Sequence, residues 1–358
     1  MKLVFYISGH GYGHAVRDIE IIQSLLKMLP DAEIHFRTTA PGWLFQPLLS
    51  DRIHYHDRQL DFGVQQKNSF SADKKLTFTK YARIIKEKEK LVEQELTFLQ
   101  RIQPDVILSD ITPIAFDAAA AFGNAAIAIG NFSWDWIYAD YLDEYPEYRW
   151  IIQDIHSSYA KARELWRIPF YGDMSAFPNP VDVPLVARHA QAPVAQTRAK
   201  LGVPHQTSHK YVLLGLRMSD LIDVDWRRVE ALQDITFVAV SRDVTLQNCI
   251  HLQEADVQFV DVLNACDAVL SKPGYSMVAE VLANRTPIVY VPRKDFVEDP
   301  VLINGLKDFG VCEELSQQDF YAGQWQETFL KLFTKPPTWQ PIRTDGADMI
   351  AARILDSI

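Results

Sequence analysis

Apolar runs and turn residues alternate along this chain in strand–loop–helix order. Leu3-Val4-Phe5-Tyr6-Ile7 is an unbroken apolar run, the pattern of a parallel strand buried on both faces. Ser8-Gly9-His10-Gly11-Tyr12-Gly13-His14 follows it, and Ile19, Ile22, Leu26 and Leu29 then recur at helical spacing. Residues 32–38 read as a second strand, and Ile53-His54-Tyr55 reads as a third. Residues 70–100 read as one long helical stretch of mixed charge. Asp105 to Asp110 is a short strand ending in a carboxylate, and residues 113–122 form an alanine-rich helix. Residues 125–130 are the next strand, running into Asn131-Phe132-Ser133-Trp134-Asp135-Trp136. This alternation predicts an α/β fold with parallel sheets covered on both faces, whose ligands lie at the C-terminal strand ends. Gly9 to His14, Asp110 and Asn131 to Trp136 would share that end.

Pro169, Pro178, Pro180, Pro184, Pro193 and Pro204 then interrupt the pattern, which places a domain boundary near residues 185–205. A second set of βα units follows. Residues 211–216, 235–241, 268–271 and 287–292 read as its strands, and 347–358 as a terminal helix. The expected division is a first domain over 1–190, a second over 205–340, and a helix at 345–358 crossing back to the first.

The bulk numbers narrow the class. A length of 358 residues suits two domains, and 48% apolar with 23% charged residues is a soluble globular composition. A net charge of −10 argues against general nucleic-acid binding. Cys249, Cys266 and Cys312 show no C-x-x-C spacing and read as buried reduced thiols. No apolar run reaches bilayer-spanning length and no signal-peptide core opens the chain, so the cytoplasm is the expected compartment. The lysines of residues 74–90 would suit an anionic acceptor or a peripheral membrane contact. Glutamates are interleaved with them, which favours a solvated helix face.

The loop after the first strand is G-x-G-x-G, formed by Gly9, Gly11 and Gly13, with His10 and His14 inside it. Glycines let a ligand approach the backbone, and the following helix points free N–H groups at it. The second strand ends Phe36-Arg37-Thr38-Thr39, without the acid that would hold an NAD ribose, so a dehydrogenase is disfavoured. His14 is either a general base or a helix-capping, ligand-bonding histidine. Asp110 is either the group that orients it or a cap for the helix near Pro113. Ser271-Lys272-Pro273-Gly274-Tyr275-Ser276 turns into a helix carrying Glu280. There Gly274 and Ser276 offer donors to a diphosphate and Glu280 an acceptor to two ribose hydroxyls, or the segment is an ordinary βα turn with a surface glutamate. Arg217 is a phosphate-neutralising or a surface arginine. Glu298 and Asp299 either bind sugar hydroxyls or are exposed loop acids. Trp134 and Asp135, with Trp136 and Tyr138, either form an acceptor platform or are core.

In this order, these residues resemble glycosyltransferases of the GT-B fold, such as the UDP-sugar transferases that include the peptidoglycan GlcNAc transferase. The closer resemblance is to the N-terminal, glycosyltransferase-like region of plant L-arabinokinases. It is carried by Gly9 to His14, Asn131 to Tyr138, Asp182-Val183-Pro184-Leu185-Val186, Gly274 to Glu280 and Ala351-Ala352-Arg353-Ile354-Leu355. It implies two Rossmann-like domains facing an interdomain cleft. It also implies transfer of a sugar from a nucleotide-diphosphate donor, UDP-sugar favoured, to a hydroxyl acceptor with inversion, and neither metal nor cofactor. Glu280 would hold the ribose, Gly274, Tyr275 and Ser276 the diphosphate, and Arg217 would neutralise charge. His14 would take the acceptor proton, oriented by Asp110, with Asn131, Trp134 and Asp135 on the acceptor side. Two departures stand out. Pro300 and Val301 occupy the place of a donor-contacting glutamine pair, and the loop Gly215-Leu216-Arg217-Met218 is poor in glycine. Alternative readings are a non-catalytic nucleotide-sugar-binding or regulatory module, and a nucleotide-sugar epimerase or hydrolase on the same fold.

Overall fold

In the computed structural model, which describes residues 1–68, 70–204, 208–240, 246–252 and 257–357, strands and helices alternate from the second residue onward. His205 at the expected boundary, Ser241 at the end of one expected strand and Ile358 of the terminal helix lie outside the described residues.

The strands are β1 (Lys2–Ile7), β2 (Glu33–Thr38), β3 (Ile53–Asp57), a hairpin of β4 (Gln66–Asn68) and β5 (Ser71–Ala72), then β6 (Val106–Asp110), β7 (Ile127–Gly130), β8 (Glu164–Arg167) and β9 (Pro180–Asp182). Apart from the hairpin they form one parallel sheet in the order β3-β2-β1-β6-β7-β8-β9. β10 (Lys210–Gly215), β11 (Ile235–Ala239), β12 (Cys249–His251), β13 (Ala268–Ser271), β14 (Ile288–Tyr290) and β15 (Cys312–Glu314) form a second parallel sheet, ordered β12-β11-β10-β13-β14-β15. The inner strands are buried along their length, which is why they read as unbroken apolar runs.

Two compact units result. Met1–Gln65, Asp73–Ala187 and Arg343–Ile358 make the first, and Gln66–Ala72 with Arg188–Ile342 the second. The last helix, Gly346–Asp356, packs on the first, Gly13–Met28, and the Gly346 N–H donates to the Leu185 carbonyl. The hairpin belongs to the second unit. Its Phe70 is buried there against Phe320, and its carbonyl accepts from the Lys294 N–H. The expected single helix over residues 70–100 is therefore a strand followed by two helices, Lys74–Lys86 and Lys88–Ile102. Asp73 caps the first of them through Leu76 N–H, and Glu87 breaks helical geometry between the two. One half packs on the helix Arg149–Tyr159 and the other on Pro113–Phe122.

Each sheet reverses its strand order at one place. In the first, the chain moves from β1 outward to β2, and β6 later lies on the other side of β1. In the second, β10 stands in the same way between β11 and β13. The loops after β1 and β6, and after β10 and β13, thus flank the switch points where ligands of parallel sheets bind.

Candidate functional site

At the first switch point the loop after β1 leads into the helix Gly13–Met28. Gly11 sits at φ +66°, in the left-handed region that favours glycine, and a Cβ on Gly9 would collide with the Thr39 hydroxyl. The next helical turn delivers His14, Arg17 and Asp18 inward, all of them buried. Asp110, the last residue of β6, meets them. His14 Nδ1 lies 3.0 Å from Asp110 Oδ1 and 2.9 Å from an Arg17 guanidinium nitrogen. The Arg17 fork grips Asp110, with Nε donating to Oδ2 at 2.6 Å and a second nitrogen paired to Oδ1. A third Arg17 nitrogen donates to Asn131 Oδ1 at 2.9 Å. Burial raises the Asp110 carboxyl, but the Arg17 and His14 charges outweigh it and hold Asp110 well below the usual carboxylate range.

One nitrogen cannot answer both neighbours. A protonated Nδ1 donates to Asp110 and leaves the lone pair on Nε2. An unprotonated Nδ1 accepts from Arg17 and puts the proton on Nε2. The choice decides whether His14 acts as base or acid.

Asp18 is 1% exposed, and among the described residues no donor reaches either of its oxygens. Burial first, and the Asp110 charge second, push its carboxyl well above the usual range against the pull of Arg17, and so favour the protonated form. Asp61 is also buried. Its Oδ2 accepts from the Trp134 indole at 3.3 Å and from the Thr112 hydroxyl at 3.3 Å. Burial raises the Asp61 carboxyl against the opposing effect of its Ser8, Trp134 and Thr112 hydrogen bonds and the His14 charge. Trp134 packs edge-on to His10 with centroids 5.4 Å apart and tilted to His14 at 6.2 Å, and Phe132 lies edge-on to His14 at 5.5 Å.

The structure thus brings together His14, Asp110, Asn131, Trp134 and the Gly9–Gly13 loop. Asp135 turns elsewhere, pairing with His156 Nδ1 at 3.4 Å. Among the lysines of residues 74–90, Lys74 pairs with Glu144 and Lys88 with Asp117 and Asp154. Arg17, Asp18 and Asp61 were not singled out from the sequence. A signal for the first two existed: residues 14, 17, 18, 21, 22 and 25 have core-face spacing, and all are buried.

At the second switch point, Gly274 precedes the helix Tyr275–Asn284. Its φ is −81° and a Cβ there would meet nothing within 4 Å, so no protein atom demands glycine at that position. Lys272 makes no ion pair among the described residues. Burial, joined by the Arg293 and Arg217 charges, lowers its ammonium to about 8 against the opposing pull of Asp220 and Asp299. Arg217 stands at the start of the short helix Met218–Leu221, where the Asp220 carboxylate accepts its backbone N–H at 3.0 Å. Ser276 lies in the first turn of the helix that carries Tyr275 and Glu280. Glu280 is 2% exposed, and its Oε1 accepts from Arg188 Nε at 2.6 Å. Burial raises its carboxyl against the pull of Arg188.

The loop acids are buried rather than exposed. Asp299 takes the Arg293 backbone N–H and Nε, each at 2.7 Å, and Glu298 lies 3.6 Å from the same guanidinium. The triplet Asp223-Val224-Asp225 has the D-x-D spacing that elsewhere bridges metal and diphosphate. Here both acids are exposed and Asp225 lies 3.6 Å from Arg228. Arg188 and Arg293 join this site from the structure alone, and Lys272, named in the sequence only as part of the turn, gains its place from its burial.

Comparisons bear on both halves. No family model matches the chain. An L-arabinokinase of Arabidopsis thaliana is 30% identical over 99% of the chain, which spans only 34% of that relative's length. Among solved structures, the spinosyn forosaminyltransferase SpnP aligns with a TM-score of 0.62 at 14% identity, over 100% of this chain and 94% of its own. The glycosyltransferase VinC, solved in complex with DTDP, gives 0.60 at 13%, over 100% and 95%. A UDP-glucosyltransferase from Polygonum tinctorium gives 0.63 at 13%, over 99% and 92%. At those identities the likeness is one of fold. No helix among the described residues is long and apolar enough to cross a membrane. With two parallel Rossmann-like sheets and these structural neighbours, the chain has the GT-B glycosyltransferase fold.

Proposed function

We propose that this chain is a glycosyltransferase. It binds a nucleoside-diphosphate sugar, UDP-sugar favoured, and passes the sugar to a hydroxyl acceptor with inversion, in the cytoplasm. The observation that carries the reading is the buried His14–Asp110 contact at the first switch point. In the working tautomer, His14 donates from Nδ1 to Asp110, and its Nε2 lone pair takes the acceptor proton as the oxygen attacks the anomeric carbon. The bond to the diphosphate breaks on the opposite face. Asn131 and Trp134 shape the acceptor side, and Arg17 fixes the Asp110 carboxylate. Asp135 serves the acceptor only after parting from His156.

The second unit takes the nucleotide. Glu280 accepts from the ribose, freed from or shared with Arg188. Gly274, Tyr275 and Ser276 offer backbone and side-chain donors at a helix N-terminus. Lys272 and Arg217 balance the charge that builds on the leaving diphosphate, the task a metal performs in other transferases. Asp299 positions Arg293, and Glu298, which shares that guanidinium, contacts the donor sugar.

The test is a thermal-shift screen with UDP, GDP, TDP, ADP and their common sugars. A ligand selective for the native state raises apparent stability by mass action. The reading expects a shift with one diphosphate, lost in Glu280→Ala. No shift with any of them overturns it.

A further inference from the structure

A second group of reactive side chains stands on β2 and β3, apart from the His14–Asp110 cluster. His35 is in register with His54, and Arg37 with His56. Residues in register in a parallel pair share a face, as do residues two apart on one strand. Glu33, His35, His54 and His56 therefore lie on one face, and β3 is the edge strand of the sheet.

His35 is buried, and both of its ring nitrogens are engaged. Nε2 lies 3.0 Å from Glu33 Oε1, and Nδ1 lies 3.0 Å from His56 Nε2. The His35 and His54 rings stack with centroids 4.7 Å apart. One donor atom each from Glu33, His35 and His54 lie within 4.8 Å of one another. The His35 Nδ1–His56 Nε2 contact needs a proton on one nitrogen and a lone pair on the other. Two such nitrogens 3.0 Å apart share one proton. When His35 donates it to His56, the His35 Nε2 lone pair faces a carboxylate oxygen, and a cation between them relieves the repulsion.

We propose that Glu33, His35 and His54 bind a divalent transition metal of the zinc class, with His56 accepting from His35 Nδ1 to fix its ring. Two imidazoles and one carboxylate are a donor set for Zn²⁺ or Co²⁺, with a fourth position left to water. A hydrogen-bond acceptor behind a ligating imidazole sets its tautomer and orientation. Metal–ligand bonds of about 2.0–2.2 Å bring tetrahedral donors to roughly 3.3 Å of one another. The buried His35 is the fixed member, and the partly exposed Glu33 and His54 swing in to close the remainder. Lys2, whose Nζ lies 3.6 Å from the other Glu33 oxygen, competes with the metal for that carboxylate. A bound ion would cross-link the edge strand to its neighbour.

The experiment uses tag-free full-length protein stripped with chelator and titrated with Co²⁺, then Zn²⁺. The site predicts visible d–d bands saturating near one equivalent and displaced by Zn²⁺. Affinity falls at least tenfold in both His54→Gln and Glu33→Gln and rises in Lys2→Gln. Zn²⁺ raises the melting temperature of the parent but not of His54→Gln. The substituted residues are partly exposed, and circular dichroism checks that the variants fold. Absence of the bands, or bands unchanged in both His54→Gln and Glu33→Gln, overturns the proposal.

Discussion

The two switch points are built alike in backbone and unlike in charge. At the first, the charges are answered from within: Arg17 grips Asp110, His14 leans on both, and the Asp18 carboxyl beside them is pushed toward its neutral form. At the second, Lys272 has no ion-pair partner among the described residues and its ammonium is held down to about 8 by burial. Glycine at position 274 answers no steric demand of the protein. A closed ion-pair network fixes where a proton sits before any ligand arrives. A cation stripped of water and held in no direct ion pair favours an incoming anion. The same topology thus holds a closed ion-pair network in one unit and, in the other, a buried lysine without an ion-pair partner among the described residues.

The largest effect should come from opening the closed network. Asp110→Asn leaves the Arg17 guanidinium buried without its carboxylate, a change that costs about 3–5 kcal/mol when one partner of a buried pair is removed. Asp18 offers a relief valve. Without the Asp110 charge to repel it, its carboxyl ionises against Arg17. Asp18→Asn alone should therefore be close to neutral, because an amide replaces a protonated carboxyl. Combined with Asp110→Asn it should cost more than the sum of the single changes. Urea unfolding of the four proteins checks this, and strict additivity would show that Asp18 does not share the network.

His14→Ala tests the proton-handling side directly. Removing a general base lowers turnover by about 10²–10⁴-fold. Because the groups proposed to hold the nucleotide lie in the other unit, nucleotide affinity should be unchanged. Sugar-transfer rates and titration calorimetry, done on one preparation, separate the two. Retained turnover removes His14 from the mechanism, and a parallel loss of nucleotide binding would mean that the two pockets are not functionally separate.

The contrast between the pockets was only half legible in the sequence. β1 and its loop were plain, since Leu3 to Ile7 are unbroken and glycines follow. His14 and Asp110 were visible because loop ends and strand ends are where ligands of parallel sheets lie. Arg17 was hidden because a charged residue three positions along a helix ordinarily faces water. Only the apolar company of Ile21, Ile22 and Leu25 on the same face gives it away. The hairpin at residues 66–72 was illegible for another reason. Phe70 is the one apolar side chain between Gln65 and Ser71, and the partners that bury it, Phe320 and Tyr321, lie some 250 residues later. The short edge strands β9, β12 and β15 have three residues each and little apolar content, so their pairing comes from tertiary context rather than local preference. Lys272 stands in the turn Ser271 to Ser276, plain in the sequence, but its lack of an ion-pair partner among the described residues is a property of the packed site.

The smallest effect, and the finest test of the second pocket, is a pH slope. In the free protein the Lys272 ammonium gives up its proton near pH 8. A bound diphosphate favours the charged form and raises that value. Below about pH 8 lysine is charged in both states, so affinity should be flat. Above it, the free protein must first take up a proton, and the dissociation constant should rise by up to about tenfold per pH unit. Calorimetry at pH 8.5 in buffers of different ionisation enthalpy should therefore record proton uptake on nucleoside-diphosphate binding. Lys272→Met should bind more weakly and lose both the slope and the uptake. If the slope survives in that variant, the titrating group is not Lys272, and the charge contrast between the two pockets no longer accounts for where the diphosphate goes.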